Sequence, residues 1–261
     1  MKKNIYLDFG LEYELDTRLE KIKKAGFDGV YLWFYEDESK LDEMISKTRC
    51  FGLDIETFHL PYKECNSIWM PGSDGDKFID LMIKGIITAS KYNISTVVMH
   101  LVGGQVRPRC NEIGLNRMKR LVKICEEYKV NLALENVKEI THVAYIFDNI
   151  DSKYLKFCFD FGHINCFTKN TYSFDFNKYK DKLICVHIHD NDGENDSHLL
   201  PFYGTFDFKY VAYKLKEIGY SFPLTSEAKI SKNHMFTEDE FINKVYSALN
   251  KIESYFEEVN E

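Results

Sequence analysis

The chain alternates short apolar segments with longer segments that are apolar on one side only. The short segments are runs of about four to eight mostly apolar residues, which is typical of buried strands. They predict strands over 4–9, 28–34, 53–58, 95–101, 131–135, 154–160, 183–189 and 221–227. The longer segments repeat their apolar residues at helical spacing. They predict helices over 16–25, 37–51, 76–92, 111–128, 141–149, 174–180, 208–218 and 237–257.

Eight strand–helix alternations in 261 residues predict the α/β fold class and, within it, a closed (β/α)8 TIM barrel. Continuously apolar strands are typical of a parallel sheet whose two faces are both covered. A doubly wound open sheet is the alternative, but it usually carries a glycine-rich phosphate loop after its first strand. The sequence Asp8-Phe-Gly-Leu-Glu12 is not that fingerprint. No linker or low-complexity segment divides the chain, so we expect a single domain over residues 1–261.

Composition narrows the classes of partner. The hydrophobic content of 44% and the charged content of 29% are ordinary for a globular protein. The net charge of −7 gives no sign of a nucleic-acid footprint, so a nucleic-acid partner is not expected. No run reaches the roughly 20 apolar residues of a membrane span, and no signal peptide is evident. Seven scattered cysteines without a C-x-x-C pair predict reduced core thiols in a cytoplasmic protein.

Six consecutive predicted strands, the third to the eighth, end in an imidazole or a carboxylate. These residues are His59, His100, Glu135, Asp160, His187 and Glu227, and His163, His189, Asp196 and His198 follow closely. In a (β/α)8 barrel the carboxyl ends of all strands meet at one rim, where the chemistry of such barrels is found. A carboxylate that follows an apolar run is costly unless it is paired or bound to a metal. The sequence therefore predicts a metal site at this rim.

Each of these residues has a structural alternative when taken alone. A single histidine at a strand end can be a hydrogen-bonded core residue, and a single glutamate can form an internal salt bridge. His189 is interpreted as a residue that orients a metal ligand. Trp33, Phe34 and Trp69 are candidates for an apolar wall of the site or for core packing. Solvent exposure is expected for two histidines and three loop acids, namely His142, His234, Asp190, Asp192 and Glu194.

Seven short segments, in order along the chain, carry a resemblance to a known family. They are His59-Leu-Pro-Tyr62, Val98-Met-His100, Glu135-Asn136, Asp160-Phe-Gly-His163, His187-Ile-His-Asp190, Asp196-Ser-His198 and Glu227. The chain resembles the xylose-isomerase-like TIM-barrel superfamily. This superfamily includes isomerases and epimerases of sugars and sugar phosphates, and the endonuclease-IV type of apurinic endonuclease. The family's Pro-Gly-x-Gly segment reads Pro201-Phe-Tyr-Gly204 here.

The resemblance to ketose 3-epimerases implies an isomerase or epimerase of a small sugar or sugar phosphate. It implies one divalent ion (Mn, Co, Mg or Zn) held by Glu135, Asp160, His187 and Glu227. Glu135 and Glu227 would be the catalytic acid and base on opposite faces of the sugar, and His163 would bind a substrate hydroxyl. Tyr62 and Trp33 are the further substrate-binding candidates, because Tyr62 matches a family motif and Trp33 offers an apolar surface.

The resemblance to the endonuclease branch implies a different site in the same place. It implies a three-metal cluster whose additional ligands would be His59, His100, His163, Asp196 and His198. A cluster with so many imidazoles favours zinc, and the activity would be that of a phosphodiesterase. Arg107 and Arg109 would then be candidates for holding phosphates. Members of the superfamily are often dimers or tetramers, so a homo-oligomer is compatible with either branch.

Overall fold

Eight parallel strands form a closed barrel in the computed structural model, which describes residues 1–10, 13–230 and 236–258. They are β1 (Lys3–Tyr6), β2 (Gly29–Trp33), β3 (Asp54–His59), β4 (Thr96–Met99), β5 (Asn131–Glu135), β6 (Leu155–Asp160), β7 (Leu183–Ile188) and β8 (Leu224–Ser226). Each strand pairs with the next one along the chain, and β8 pairs with β1. The predicted (β/α)8 fold class is therefore confirmed.

Helices follow the strands and cover the outside of the barrel. They are α1 (Leu15–Ala25), α2 (Glu38–Cys50), α3 (Asp74–Lys91), α4 (Glu112–Tyr128), α5 (Thr141–Asn149), α6 (Phe161–His163), α7 (Phe176–Tyr179), α8 (Phe208–Glu217) and α9 (Glu238–Glu257). Three short helical turns lie between them, at Cys65–Trp69, Ile164–Thr168 and Thr171–Ser173. The sequence predicted none of these turns. No helix among the described residues is both long and apolar enough to cross a membrane.

Side-chain caps define several helix starts. The Asp37 carboxylate accepts the backbone N–H groups of Ser39 and Lys40 at the start of α2. Thr237 forms a capping box with Glu240 at the start of α9. Such caps satisfy N–H groups that have no partner within the helix. Asp16 is not the cap of α1, because that helix already begins at Leu15 and Asp16 lies in its first turn.

Two apolar layers hold the fold together. The larger one fills the space between the strands and the surrounding helices. The smaller one consists of Val98, Ala133, Cys158 and Cys185 on four adjacent strands. All seven cysteines are free, and Cys65, Cys125, Cys158, Cys166 and Cys185 are buried. The prediction of thiols in the core holds for those five, whereas Cys50 is exposed.

Candidate metal centre at the barrel mouth

The candidate site rests directly on the smaller apolar layer. His100, Glu135, Asp160 and His187 each lie two residues after one member of that layer. Since side chains two residues apart in a strand share a face, these four side chains extend the layer upwards into the barrel. The predicted meeting of polar groups at the carboxyl ends of the strands is thus observed.

The carboxylate of Glu135 lies at the centre of the site. Its Oε2 atom is 2.9 Å from His100 Nε2 and 3.2 Å from His59 Nε2. Its Oε1 atom is 3.2 Å from His187 Nδ1 and 3.3 Å from His163 Nδ1. The Glu135 side chain is fully buried. One carboxylate therefore faces imidazoles from four different segments of the chain.

Asp160 forms a second focus. Its Oδ1 atom accepts the backbone N–H of His163 at 2.6 Å and lies 3.1 Å from His189 Nε2. Asn136 fixes the end of this strand, because its side chain both donates to the Asp160 carbonyl and accepts the Asp160 N–H. The Asp160 Oδ2 atom is buried and makes no hydrogen bond with the described residues. One oxygen of this carboxylate is therefore left available for a ligand.

The loop after β7 brings Asp196 and His198 to the same place. Asp196 Oδ2 lies 3.4 Å from His163 Nε2 and 3.6 Å from His198 Nε2. His198 Nδ1 contacts the carbonyl oxygen of Glu227 at 3.1 Å. His198 has a φ of 47°, which is uncommon for a residue other than glycine. A strained backbone thus presents this imidazole to the site.

His189 is more central than the sequence indicated. Its ring is fully buried and stacks on the His198 ring with 4.0 Å between centroids. Its Nε2 atom lies 3.1 Å from Asp160 Oδ1 and 3.8 Å from Asp196 Oδ1. It therefore stands between two groups of candidate ligands. The available signal was its i, i+2 spacing from His187, which places both rings on one face of the chain.

Trp33 and Tyr62 lie at the entrance of the site. The Trp33 ring is 4.2 Å from the His59 ring and 5.5 Å from the Tyr62 ring, centroid to centroid. Tyr62 is 45% exposed. Phe34 and Trp69 are buried in the large core, so their role is packing and not the wall of the site.

Two predictions of solvent exposure were wrong, and His234 lies outside the described residues. Asp190 is fully buried, and its carboxylate accepts the backbone N–H groups of Asn191, Gly204 and Phe206. It closes the base of the loop that carries Asp196. Asp192 and Glu194, which lie inside that loop, are exposed as predicted.

The second wrong prediction concerns His142. This residue is buried and contacts the Pro108 carbonyl oxygen at 2.9 Å through Nε2. Its ring packs edge-on against Trp69 with 4.8 Å between the centroids. Both partners come from other loops, so nothing in the sequence near His142 indicated its burial.

Burial and neighbouring charges shift the pKa values of the site residues in opposite directions. Burial alone would raise the pKa of Glu135 and of Glu227, but the adjacent His187 charge holds both pKa values well below their usual range. Burial would likewise lower the pKa of His187, but the two glutamates raise it well above its ordinary value. The carboxylates therefore stay ionised in the interior, which is the state that binds a cation.

The donor atoms fit a divalent ion. One oxygen or nitrogen atom each from Glu135, Asp160, His187 and Glu227 lies within 4.8 Å of the others. Three further sets meet the same condition: His59 with Glu135 and His187, Asp160 with His163 and His189, and His189 with Asp196 and His198. Asp160 Oδ2 and His187 Nε2 are buried and have neither a hydrogen bond nor an ion pair among the described residues. Such unpartnered atoms are costly in apolar surroundings unless a ligand binds them.

A cavity of about 350 Å³ opens above these residues. Its lining includes Trp33, Tyr62, His163, Asp196, His198 and Glu227. All the residues predicted to bind metal or substrate therefore lie in or directly beneath one cavity. Arg107 is not part of that lining, and its guanidinium instead pairs with Glu139 at 3.3 Å. Arg109 is not among the lining residues either.

The model of the xylose isomerase-like TIM barrel family matches residues 19–252. The chain belongs to this family, so the resemblance inferred from the short segments is confirmed. The uncharacterised protein MJ1311 of Methanocaldococcus jannaschii is 31% identical over 270 residues, which cover 93% of this chain and 91% of that protein. The uncharacterised protein y4fM of Sinorhizobium fredii is 27% identical over 143 residues, which cover 55% of this chain. The chain spans only 45% of the length of y4fM.

Solved structures of epimerases share the fold. A D-tagatose 3-epimerase-like protein superposes with a TM-score of 0.77 at 23% identity, over 98% of this chain and 97% of that chain. The D-psicose 3-epimerase of Clostridium cellulolyticum H10, solved with D-tagatose, gives a TM-score of 0.78 at 15% identity, over 98% and 99% of the two chains. At these identities the likeness establishes the common fold.

Proposed function

We propose that this chain is a divalent-metal-dependent isomerase or epimerase of a small sugar or sugar phosphate. The observation that carries the proposal is that two buried glutamates contact the same nitrogen atom of one imidazole. His187 Nδ1 lies 3.2 Å from Glu135 Oε1 and 3.1 Å from Glu227 Oε2. The shared fold of solved sugar epimerases supports the same activity class.

Glu135, Asp160, His187 and Glu227 would hold the ion, since their donor atoms are mutually close and include atoms without hydrogen bonds. When bound, the ion supplies Lewis acidity that polarises a ketose carbonyl and acidifies the neighbouring C–H bond. The mixed carboxylate and imidazole donors are compatible with Mn, Co, Mg or Zn.

The two glutamates would carry the proton transfer. One of them removes the acidified proton, and the other returns a proton to the opposite face of the same carbon. The second glutamate would therefore carry a proton at the start of each turnover, and the two residues would exchange protonation states when the reaction runs in the other direction. His163 would bind a substrate hydroxyl, and Trp33 with Tyr62 would form the apolar side of the entrance.

The test is turnover of a panel of ketoses and ketose phosphates in D₂O, with MnCl₂ or CoCl₂, followed by NMR. An active substrate should gain deuterium at the carbon next to the carbonyl and convert to its epimer or isomer. Glu135→Gln and Glu227→Gln should each lower kcat/KM by about 10²- to 10⁴-fold, the usual contribution of a general acid or base.

Glu56→Gln is the matched control, because it makes the same change at the other end of the barrel. It should leave kcat/KM unchanged. Deuterium incorporation that persists in both the Glu135→Gln and Glu227→Gln proteins would refute the proposed roles of the glutamates.

A second candidate function is a metal-dependent phosphodiesterase of the apurinic-endonuclease kind. The observation in its favour is that the additional donors His59, His100, His163, Asp196 and His198 all lie around the same cavity. Elemental analysis separates the two candidates: about one exchangeable ion per chain supports the epimerase, and about three zinc ions support the phosphodiesterase. Nicking of an oligonucleotide with one abasic site then tests the second activity directly.

A further inference from the structure

Three lysines line the cavity above the candidate metal centre: Lys63, Lys138 and Lys229. Each follows a proposed ligand closely in the chain. Lys63 comes four residues after His59, Lys138 three after Glu135, and Lys229 two after Glu227. Three separate loops at the carboxyl ends of the strands therefore each bring one ammonium group to the same opening.

These ammonium groups have no acidic partner among the described residues, because no carboxylate lies within 4 Å of any of them. The chain offers a contrast at the same end of the barrel, where the Lys169 ammonium pairs with Glu194 at 2.5 Å. The acids that line the cavity, Asp196 and Glu227, face histidines instead. None of the three ammonium groups is therefore held in a salt bridge, although the Asp196 charge acts on Lys138 from a longer distance.

Two of the lysines are held in place by aromatic rings and are only partly exposed. Lys138 Nζ lies 3.1 Å from the centroid of the Phe167 ring, and Lys229 Nζ lies 5.3 Å from the centroid of the Tyr6 ring. Such contacts orient a cation but contribute only modestly to stability. Burial lowers the pKa of Lys138, which shows that its charge is partly removed from water. An anion in the cavity would offset that cost.

The positive entrance is a local feature. The chain as a whole carries a net charge of −7, so its overall field repels anions. Three cations without a salt-bridge partner around a concave opening make the potential there more positive than the net charge alone indicates. A neutral sugar has no group that requires such an arrangement.

We propose that Lys63, Lys138 and Lys229 bind an anionic group of the substrate, a phosphate or a carboxylate, beside the metal centre. The substrate class of the proposed isomerase is then a sugar phosphate or a sugar acid. The chemistry in this inference rests on the proposed function, whereas the anion binding does not. The two can therefore fail separately.

The experiment measures binding of compounds that cannot react, by calorimetry on the manganese-loaded protein. Ribitol, ribitol 5-phosphate and ribonate share a carbon chain and differ in their charged group. Ribitol 5-phosphate or ribonate should bind at least about tenfold more tightly than ribitol, as expected for hydrogen bonds to a charged group. Whichever compound shows the larger gain identifies phosphate or carboxylate as the anionic group.

The double variant Lys138→Met/Lys229→Met should lose most of that gain and leave ribitol binding unchanged. Lys169→Met is the matched control, because it removes a charge at the same end of the barrel from a lysine that already has a partner. It should retain the full preference for the anion. Circular dichroism and the melting temperature check that the variants fold.

Two outcomes would overturn the anion site. One is equal binding of ribitol and both anions. The other is a preference that survives in the triple variant Lys63→Met/Lys138→Met/Lys229→Met, which would mean that the metal and not the lysines binds the anion. Lysine-dependent anion binding without turnover of any ketose would leave the site standing and reject the isomerase. Turnover of ketoses with equal kcat/KM for phosphorylated and free forms would support the isomerase and reject the anion site.

Discussion

The two ends of this barrel each hold a glutamate beside a cavity, fully buried at one end and partly buried at the other, and different groups face the two carboxylates. At the carboxyl end of the strands, Glu135 faces four imidazoles. At the amino end, Glu56 accepts hydrogen bonds from Thr225 and Asn4, which are neutral. Burial raises the pKa of Glu56, whereas the histidine charges outweigh burial for Glu135. The surroundings of Glu56 thus favour its protonated form, whereas those of Glu135 favour its ionised form, which can bind a cation.

Cavity size alone does not separate the two ends, because a cavity of about 680 Å³ also opens beside Trp33 and Tyr62 at the carboxyl end. The cavity beside Glu56 measures about 590 Å³, and the one above the candidate metal centre measures about 350 Å³. What distinguishes the smaller cavity is the set of convergent, mutually charged side chains beneath it. A site in this fold is therefore better recognised by which groups face each carboxylate than by volume.

The largest difference between the two ends should appear on metal binding. Adding Mn²⁺ to chelator-treated protein at about 100 times its Kd should stabilise the fold by about 2.7 kcal/mol. For a domain of this size, that corresponds to about 5–10 °C in Tm. Asp160→Asn should lose most of this shift, and Glu56→Gln should keep it. A shift of equal size in both variants would show that the ion binds elsewhere.

A pair of glycine substitutions sharpens the comparison. An alanine Cβ at Gly162 would lie 1.9 Å from the His189 ring, and one at Gly29 would lie 2.5 Å from the Asp54 carbonyl oxygen. Both Gly162→Ala and Gly29→Ala should cost about 1–3 kcal/mol of stability through overpacking.

Only Gly162→Ala should also weaken metal binding, because it displaces an imidazole of the candidate centre. Calorimetric titration of each variant with Mn²⁺ and Zn²⁺ measures this. Unchanged affinity in Gly162→Ala, with its fold intact, would exclude His189 from the metal site.

The smallest expected effect concerns stability against pH. The folded pKa of Glu56 is raised above its ordinary 4.5, so the contribution of this one group to stability is greatest below that pH and is lost as pH rises through the folded value. Glu56→Gln lacks this loss and should be more stable at neutral pH by about 1 kcal/mol, the usual size of such a term. Urea unfolding of the chelator-treated protein at pH 5 and pH 8 measures the difference.

Glu135→Gln should behave in the opposite way. The folded pKa of Glu135 is lowered, so its ionised form stabilises the fold above its ordinary pKa, and this contribution is lost as pH falls through the lowered value. The variant should therefore be less stable than wild type at pH 8. If both substitutions changed stability at pH 8 in the same direction, the charges that face the two glutamates would not explain the difference between the two ends.

The fold was predictable because its signal is local. A run such as Asn131–Glu135 has three consecutive apolar residues before its last residue. That pattern, read within a βα alternation, predicts the strand and the end of the barrel at which Glu135 lies. The same pattern in the other strands predicts that all the candidate ligands lie at one end of the barrel, although it gives no distances between them.

The parts that the sequence could not give depend on contacts between distant loops. Asp190 is buried because the N–H groups of Gly204 and Phe206 converge on it. His142 is buried because Trp69 and Pro108 come from other loops. The central position of His189 likewise depends on where the loop with Asp196 folds back. None of these partners is a sequence neighbour, so local pattern carries no information about them.

The closure formed by Asp190 makes the loop after β7 a self-contained unit. Gly204 approaches so closely that a Cβ there would lie 2.1 Å from the Asn191 carbonyl oxygen, and Phe202 adopts a φ of 73° where the family has glycine. With both ends held by one carboxylate, the intervening residues can change in length or sequence without disturbing the barrel. This loop could therefore be replaced by another sequence while the barrel stays intact. Since it carries Asp196 and His198, such a replacement would change the candidate site and its reaction.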